Sequence, residues 1–174
     1  GYDKVAMFFE VQRESYEKLL MYINDRVSRD NTEYGIASSF VGRGLVSLKK
    51  GEMDSVIFFI QEAEKIMPMS NNRCSYFELI AMYHFTRGDL KMSKNYLNKG
   101  LEEAIRHRDQ VKRRFFLNKL GSICFNEALY GAASKYFLEV YSTYPSGKGV
   151  PAELIGNIIS VKIVEGNYQE AETF

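Results

Sequence analysis

RFFLNKLGSICFNEALYGAASKYFLEVYSTYP, residues 114–145, decides the fold. Leu117 and Leu120-Gly121 lead up to a break near Ala128, Ala133 and Phe137 follow it, and Pro145 closes the stretch. The spacing predicts two antiparallel helices joined by a tight turn. Small residues at Gly121 and Ala133 let the two backbones approach, and Phe137 fills the gap that remains. Pro145, with no N–H to donate, stops the second helix.

The same signals recur on both sides. Gly51, Gly88 and Gly166 each follow an apolar-periodic stretch, where a left-handed turn costs glycine nothing. Asp89 and Asn167 stand just beyond two of them as N-caps for the next helix. Pro68, Pro145 and Pro151 fall in longer connections. Upstream, Val5, Phe8, Phe9, Tyr16, Leu19, Leu20, Ile23 and Val27 line one face of a helix expected from about Asp3 to Arg29, with stop and cap chemistry at Asp30 and Asn31. Only three prolines, no Asn-Gly or Asp-Gly dipeptide and no long polar–apolar alternation argue against a sheet. The chain reads as all-α, built from antiparallel helix pairs.

Gly51, Gly88, Ala128 and Gly166 stand 37, 40 and 38 residues apart, a regularity that signals stacked units. Phe40, Gly44, Gly51, Ala63 and Pro68 mark a first unit, and Phe77, Ala81, Gly88, Ser93, Leu97 and Gly100 a second. The third is the opening stretch, and a fourth contains Gly166-Asn167-Tyr168-Gln169-Glu170-Ala171. In this register the chain resembles the tetratricopeptide repeat (TPR) family, whose pattern is W-x2-L-G-x2-Y, then A-x3-F and a late Pro. It departs from that pattern in having no Trp, Ser47 and Lys162 where Tyr is usual, and Ala128 at a turn glycine.

The resemblance implies a right-handed α-α superhelix, a TPR-like solenoid, with residues 1–30 as an N-terminal capping helix and repeats over 31–174. The units run at about 37–70, 74–107, 114–147 and 152–174, the last truncated. Because the chain opens on Gly1 and the fourth unit stops at Phe174 early in its second helix, it reads as a fragment of a longer protein.

Composition narrows the function. The 174 residues carry 23 Lys+Arg against 22 Asp+Glu and are 45% hydrophobic, which excludes a disordered chain and leaves no global field for nucleic acid or an anionic membrane. Apolar runs such as Val56 to Ile60 are far shorter than the ~20 residues of a bilayer span. Cys74 and Cys124 form neither a disulfide framework nor a CxxC pair, which favours a reducing, cytoplasmic setting. His84 and His107 lack any partner at metal-ligand spacing, so no metal and no cofactor are expected. Gly147-Lys148 fails as a phosphate loop, with Ser142 where the first glycine belongs and Gly149 where Ser or Thr belongs. Gly42-Arg43-Gly44 lacks the third glycine and the strand of a dinucleotide site. Nothing supplies nucleophile, base and oxyanion donors together, so no enzyme is expected.

Two candidate sites remain. Arg106, Arg108, Lys112, Arg113 and Arg114, opposed in sequence only by Asp109, form a basic patch suited to an anion or an acidic partner, too narrow for nucleic acid. By resemblance, first helices of TPR units line a concave groove. The groove positions here are Leu45, Leu48, Glu78, Met82, Phe85, Asn118, Ser122, Phe125, Asn126 and Ser160. A clamp for paired carboxylates is disfavoured, since Val41, Leu45 and Leu79 stand where that branch of the family carries polar residues. The expected function is a non-catalytic scaffold for a peptide or protein segment, with Asn118 and Asn126 hydrogen-bonding its backbone. A sensor domain of a bacterial transcriptional regulator and a structural subunit of a larger assembly are the alternatives.

Overall fold

Helix follows helix through residues 2–20, 26–67, 72–145 and 149–174, those described by the computed structural model, and no strand occurs among them. The order is α1 (Tyr2–Leu20), α2 (Arg26–Lys50), α3 (Met53–Ile66), α4 (Cys74–Thr86), α5 (Leu90–Arg106), α6 (Gln110–Asn126), α7 (Tyr130–Ser142), α8 (Ala152–Val164) and α9 (Tyr168–Ala171). Ile23, Pro68 and the Gly147-Lys148 dipeptide lie outside the described residues. The all-α expectation agrees with this chain, and no helix among the described residues is long and apolar enough to cross a membrane.

The N-terminal boundary is a correction. α2 begins at Arg26 and runs straight through Asp30 and Asn31, the expected stop. Thr32, Ile36, Ala37 and Phe40, which share one face of the helix just beyond, are all buried. Burial of that face outweighs the weak local preference of Asp and Asn for a cap. The expected single N-terminal helix is thus divided between α1 and a long α2.

Five helix ends share one backbone device. At Gly51, Gly88, Arg108, Ala128 and Gly166 the backbone turns left-handed, with φ of +80°, +78°, +55°, +59° and +78°. In each case the next residue's N–H donates to the carbonyl five positions back: Glu52 to Ser47, Asp89 to His84, Asp109 to Ala104, Leu129 to Cys124 and Asn167 to Lys162. This double-bonded stop satisfies carbonyls that a helix end would leave unpaired. Asp89 and Asp109 then cap the following helices, accepting from the N–H groups of Met92 and Lys112 at 3.0 Å. Asn167 makes no side-chain cap bond, contrary to the sequence reading.

Ala128 holds this turn with a side chain that disfavours it by about 1–2 kcal/mol, against the ~0.5–1 kcal/mol that glycine loses in folding entropy. Ala128→Gly is therefore expected to stabilise the protein by up to about 1 kcal/mol, as a higher urea midpoint at unchanged slope. A lowered midpoint would show that the turn is unstrained.

Two compact units make up the chain, residues 1–96 and 97–174. In the first, Val56, Phe59, Ala63 and Leu79 form a core with Ile36, Ala37, Phe40 and Val41 of α2. α1 seats Tyr16 over Gly35, where an added methyl would lie 2.6 Å from the ring, and Phe9 over Gly42. The Glu10 carboxylate bridges Arg13 of α1 and Arg43 of α2. Hydrogen bonding from Arg13, helped by Arg43, holds that carboxyl below its usual range against a smaller opposing effect of burial. Arg43 also lies over the Phe59 ring, 4.5 Å from its centroid. α1 itself buries no residue fully, and Val5, Phe8 and Leu19, expected on its packed face, are exposed. Its apolar residues span a wider arc than α2 covers.

In the second unit Leu117, Ala133, Phe137, Val140, Leu154, Ile158 and Val161 form the core. The Phe137 ring occupies the space over Gly121, where an added methyl would stand 2.6 Å from it, and Phe116 does the same over Gly100. The expected pairing of small residue and ring across α6 and α7 is present.

Candidate functional site

Four side chains of α6 fall three or four residues apart, Arg114, Asn118, Ser122 and Phe125, and so lie along one side of the helix with Asn126 next to them. α8 presents Asn157 and Ser160, three residues apart, to the same region. Asn157 Nδ2 donates to Asn118 Oδ1 at 3.3 Å and ties the two helices together.

Ser122, Phe125, Asn126, Phe137, Asn157 and Ser160 enclose a cleft of about 130 Å³. Phe137 forms apolar floor, and Phe125 sits edge-on to Tyr130 with ring centroids 5.5 Å apart. The Ser122 hydroxyl donates to the Asn118 carbonyl at 3.0 Å and that of Ser160 to the Gly156 carbonyl at 2.7 Å. Both oxygens keep lone pairs to accept from an incoming N–H, while Asn126, exposed at the rim, offers an amide donor and acceptor together. Rings below and amides above suit an extended polypeptide, with apolar side chains inward and backbone groups at the rim.

Beyond Asn118 on α6 lies a second cleft of about 230 Å³, lined by Val111, Arg114, Phe115, Asn118, Val140, Tyr144, Pro151, Glu153 and Leu154. Arg114 lies over the Tyr144 ring, its guanidinium carbon 4.4 Å from the centroid.

Of the ten expected groove residues, the structure thus brings Ser122, Phe125, Asn126 and Ser160 into one cleft and joins Asn118 to it through Asn157. Asn157 was missed, although its place three residues before Ser160 on one helix is a usable signal. The other five lie in the unit of residues 1–96. Leu45 and Leu48 pack against its core, Leu45 also lining a cleft of about 300 Å³ with Phe9, Tyr34 and Tyr76. Glu78, Met82 and Phe85 are half-buried on α4.

The basic patch is less free than its sequence suggests. Arg106 pairs with buried Glu103, whose carboxylate also lies 3.4 Å from His107 Nε2, and Arg113 pairs with Glu139 at 2.8 Å. Arg108 is the exposed turn residue, and Asp109 caps the helix that carries Lys112. Glu103 and Glu139, outside the run of basic residues in sequence, thus oppose it in the fold.

Other reactive groups are occupied structurally. His84 stacks on Tyr96, centroids 5.8 Å apart and 7° from parallel, with Nδ1 3.4 Å from Asp89. Burial, reinforced by Glu64, pushes the Tyr76 phenol far above its usual range. Cys74 and Cys124 are buried and form no disulfide. Among the described residues no group of three or more His, Cys, Asp or Glu could hold a metal ion.

No family model matches the chain, and no curated protein matches it. Among solved structures it is similar to BtubC (BKLC) from P. vanneervenii, with 15% sequence identity and a TM-score of 0.69 over 99% of this chain and 87% of that one. At that identity the likeness is one of helical fold.

Proposed function

We propose that the chain is a TPR-like domain, its antiparallel helix pairs stacked as a right-handed superhelix, and that it acts as a non-catalytic scaffold holding a peptide or protein segment. The observation that carries this reading is the α6–α8 cleft, with rings as its floor and amides and hydroxyls at its rim. The five like turns and the ring-over-glycine contacts of both units support the repeat reading. Apolar contacts at Phe125 and Phe137 supply most of the affinity, and Asn126, Ser122 and Ser160 set the register of the bound backbone.

The test is a binding screen of random extended peptides against the wild type and Ser160→Phe. Ser160 is exposed, so a ring there fills the cleft without entering the core. Binding is expected to fall at least about tenfold, while melting moves by no more than about 2 °C, as for a surface change. Peptides that bind the two proteins equally would contradict the reading.

One observation favours the structural-subunit alternative. Val5, Met7, Phe8, Val11 and Leu19 expose an apolar side of α1. Light scattering separates the two: a monomer that binds peptides fits the scaffold, and an obligate oligomer without peptide binding fits the subunit.

A further inference from the structure

We infer that a cleft in the unit of residues 1–96, walled by Tyr76, Tyr83, His84 and Tyr96 and carrying the Glu64 carboxylate, is a receptor for a quaternary ammonium group. It shares no residue with the α6–α8 cleft and does not depend on the scaffold reading.

Helix periodicity builds the walls. On α3, Ile57, Ile60, Gln61 and Glu64 recur at helical spacing and lie along one side. On α4, Tyr76, Ile80, Tyr83 and His84 do the same. The two sides meet, with Tyr96 of α5, around a space of about 230 Å³. His84 and Tyr96 stack there as one wall, centroids 5.8 Å apart, and Tyr83 stands edge-on to His84 at 5.3 Å. Tyr76 is 3% exposed, so the core holds its ring in place before a ligand arrives.

The sign of the ligand's charge follows from what faces it. Aromatic faces carry partial negative charge and attract cations. Two of these rings already hold one each: Arg73 lies over Tyr76, 5.2 Å from its centroid, and Arg87 over Tyr83 at 5.6 Å. Neither arginine lines the cleft, and no lysine does. The Tyr76 hydroxyl donates to the Glu64 carboxylate and keeps that charge at the cleft. Asp89, 3.4 Å from His84 Nδ1, offsets charge on the imidazole. An anion would meet Glu64 and the ring faces with no lysine or arginine on the lining to receive it.

The kind of cation follows from the acceptors. A metal ion needs a group of ligating side chains, and among the described residues no such group of three or more occurs. A primary ammonium has three N–H bonds to satisfy, whereas the cleft offers the Glu64 carboxylate and the Gln61 amide, both at its exposed rim. A trimethylammonium group has no N–H at all. Its charge suits the rings and Glu64, and its methyl groups suit Ile57, Ile60 and Ile80. A small molecule such as choline and a trimethylated lysine on a polypeptide both present this head group.

The test uses the full chain with isotope-labelled isoleucine methyl groups, read by NMR. It is titrated with choline and with the uncharged isostere in which carbon replaces the nitrogen. Choline is expected to shift the Ile57, Ile60 and Ile80 signals with a millimolar dissociation constant, and the isostere to bind about tenfold more weakly or worse. Glu64→Gln, at an exposed position, is expected to weaken choline by about two- to fivefold, Tyr83→Leu by about tenfold, and Glu62→Gln, off the lining, not at all. An octapeptide with one trimethyllysine that binds about tenfold tighter than choline would assign the head group to a polypeptide, and one that binds no tighter would assign it to a small molecule. Equal binding of choline and its isostere by the wild type would overturn the inference, as would choline shifts confined to other isoleucines, or no shift with either choline or the peptide. An unmodified lysine peptide that binds as tightly as its trimethylated form would overturn the quaternary class. None of these four comparisons needs a variant to fold.

Discussion

Phe137→Ala is expected to destabilise residues 97–174 by about 3–5 kcal/mol, the usual cost of removing a fully buried aromatic ring. The ring is 1% exposed and lies over Gly121, which has no side chain of its own to move into the space. The same ring is the floor of the Ser122–Ser160 cleft, so core and cleft fail together. Urea unfolding followed by circular dichroism gives the first number and peptide binding the second. A loss below about 1 kcal/mol would mean that the helix pair collapses onto the vacancy and that the ring does not set the spacing of α6 and α7.

The second large effect lies in the other unit. Leu79 is fully buried, and one of its methyl groups would stand 2.5 Å from a Cβ added at Gly44, with the Phe59 Cβ at 3.3 Å. Leu79→Ala is expected to cost about 2–5 kcal/mol. Gly44→Ala alone sets about 1 kcal/mol of helix preference against overpacking of about 1–3 kcal/mol, and a net loss is expected because Leu79 has no room to retreat. Combined, the two changes should cost less than their sum, since the new methyl enters the space the leucine leaves. Strict additivity would show that Gly44 is not a contact point between α2 and α4.

The parts of the fold that depend on local chemistry were legible. Glycine at a left-handed turn, Asp89 as a cap and a small residue opposite Phe137 each follow from one residue's own geometry, and each is present. Asn167, read as a cap by the same local rule, makes no cap bond, and much of what else failed depended on partners distant in sequence. Asp30 and Asn31 read as a stop because nothing nearby revealed that the face after Thr32 would be buried. Arg108 gave no sign of a left-handed turn because arginine is an ordinary helix residue. Phe8 was placed on a packed face, but spacing alone does not say how wide a face its partner covers.

The site was legible in the same uneven way. The family resemblance put Ser122, Phe125, Asn126 and Ser160 on one groove, and the four do line one cleft. The Asn118–Asn157 bond, 39 residues apart, and the Arg113–Glu139 pair, 26 apart, required the packed chain. Phe125 also packs on the core and on Tyr130, so Asn118→Ala with Phe125→Ala would lower stability as well as binding. An exposed blocking residue is the cleaner probe.

The proposed scaffold role is tested most directly by the binding isotherm of one selected peptide on the wild type and on Ser160→Phe, with a melt of each sample recorded alongside. A fall of at least about tenfold in affinity at an unchanged melting temperature is the predicted result. Equal affinity for the two proteins would contradict it, because the peptide would then be held somewhere other than between α6 and α8.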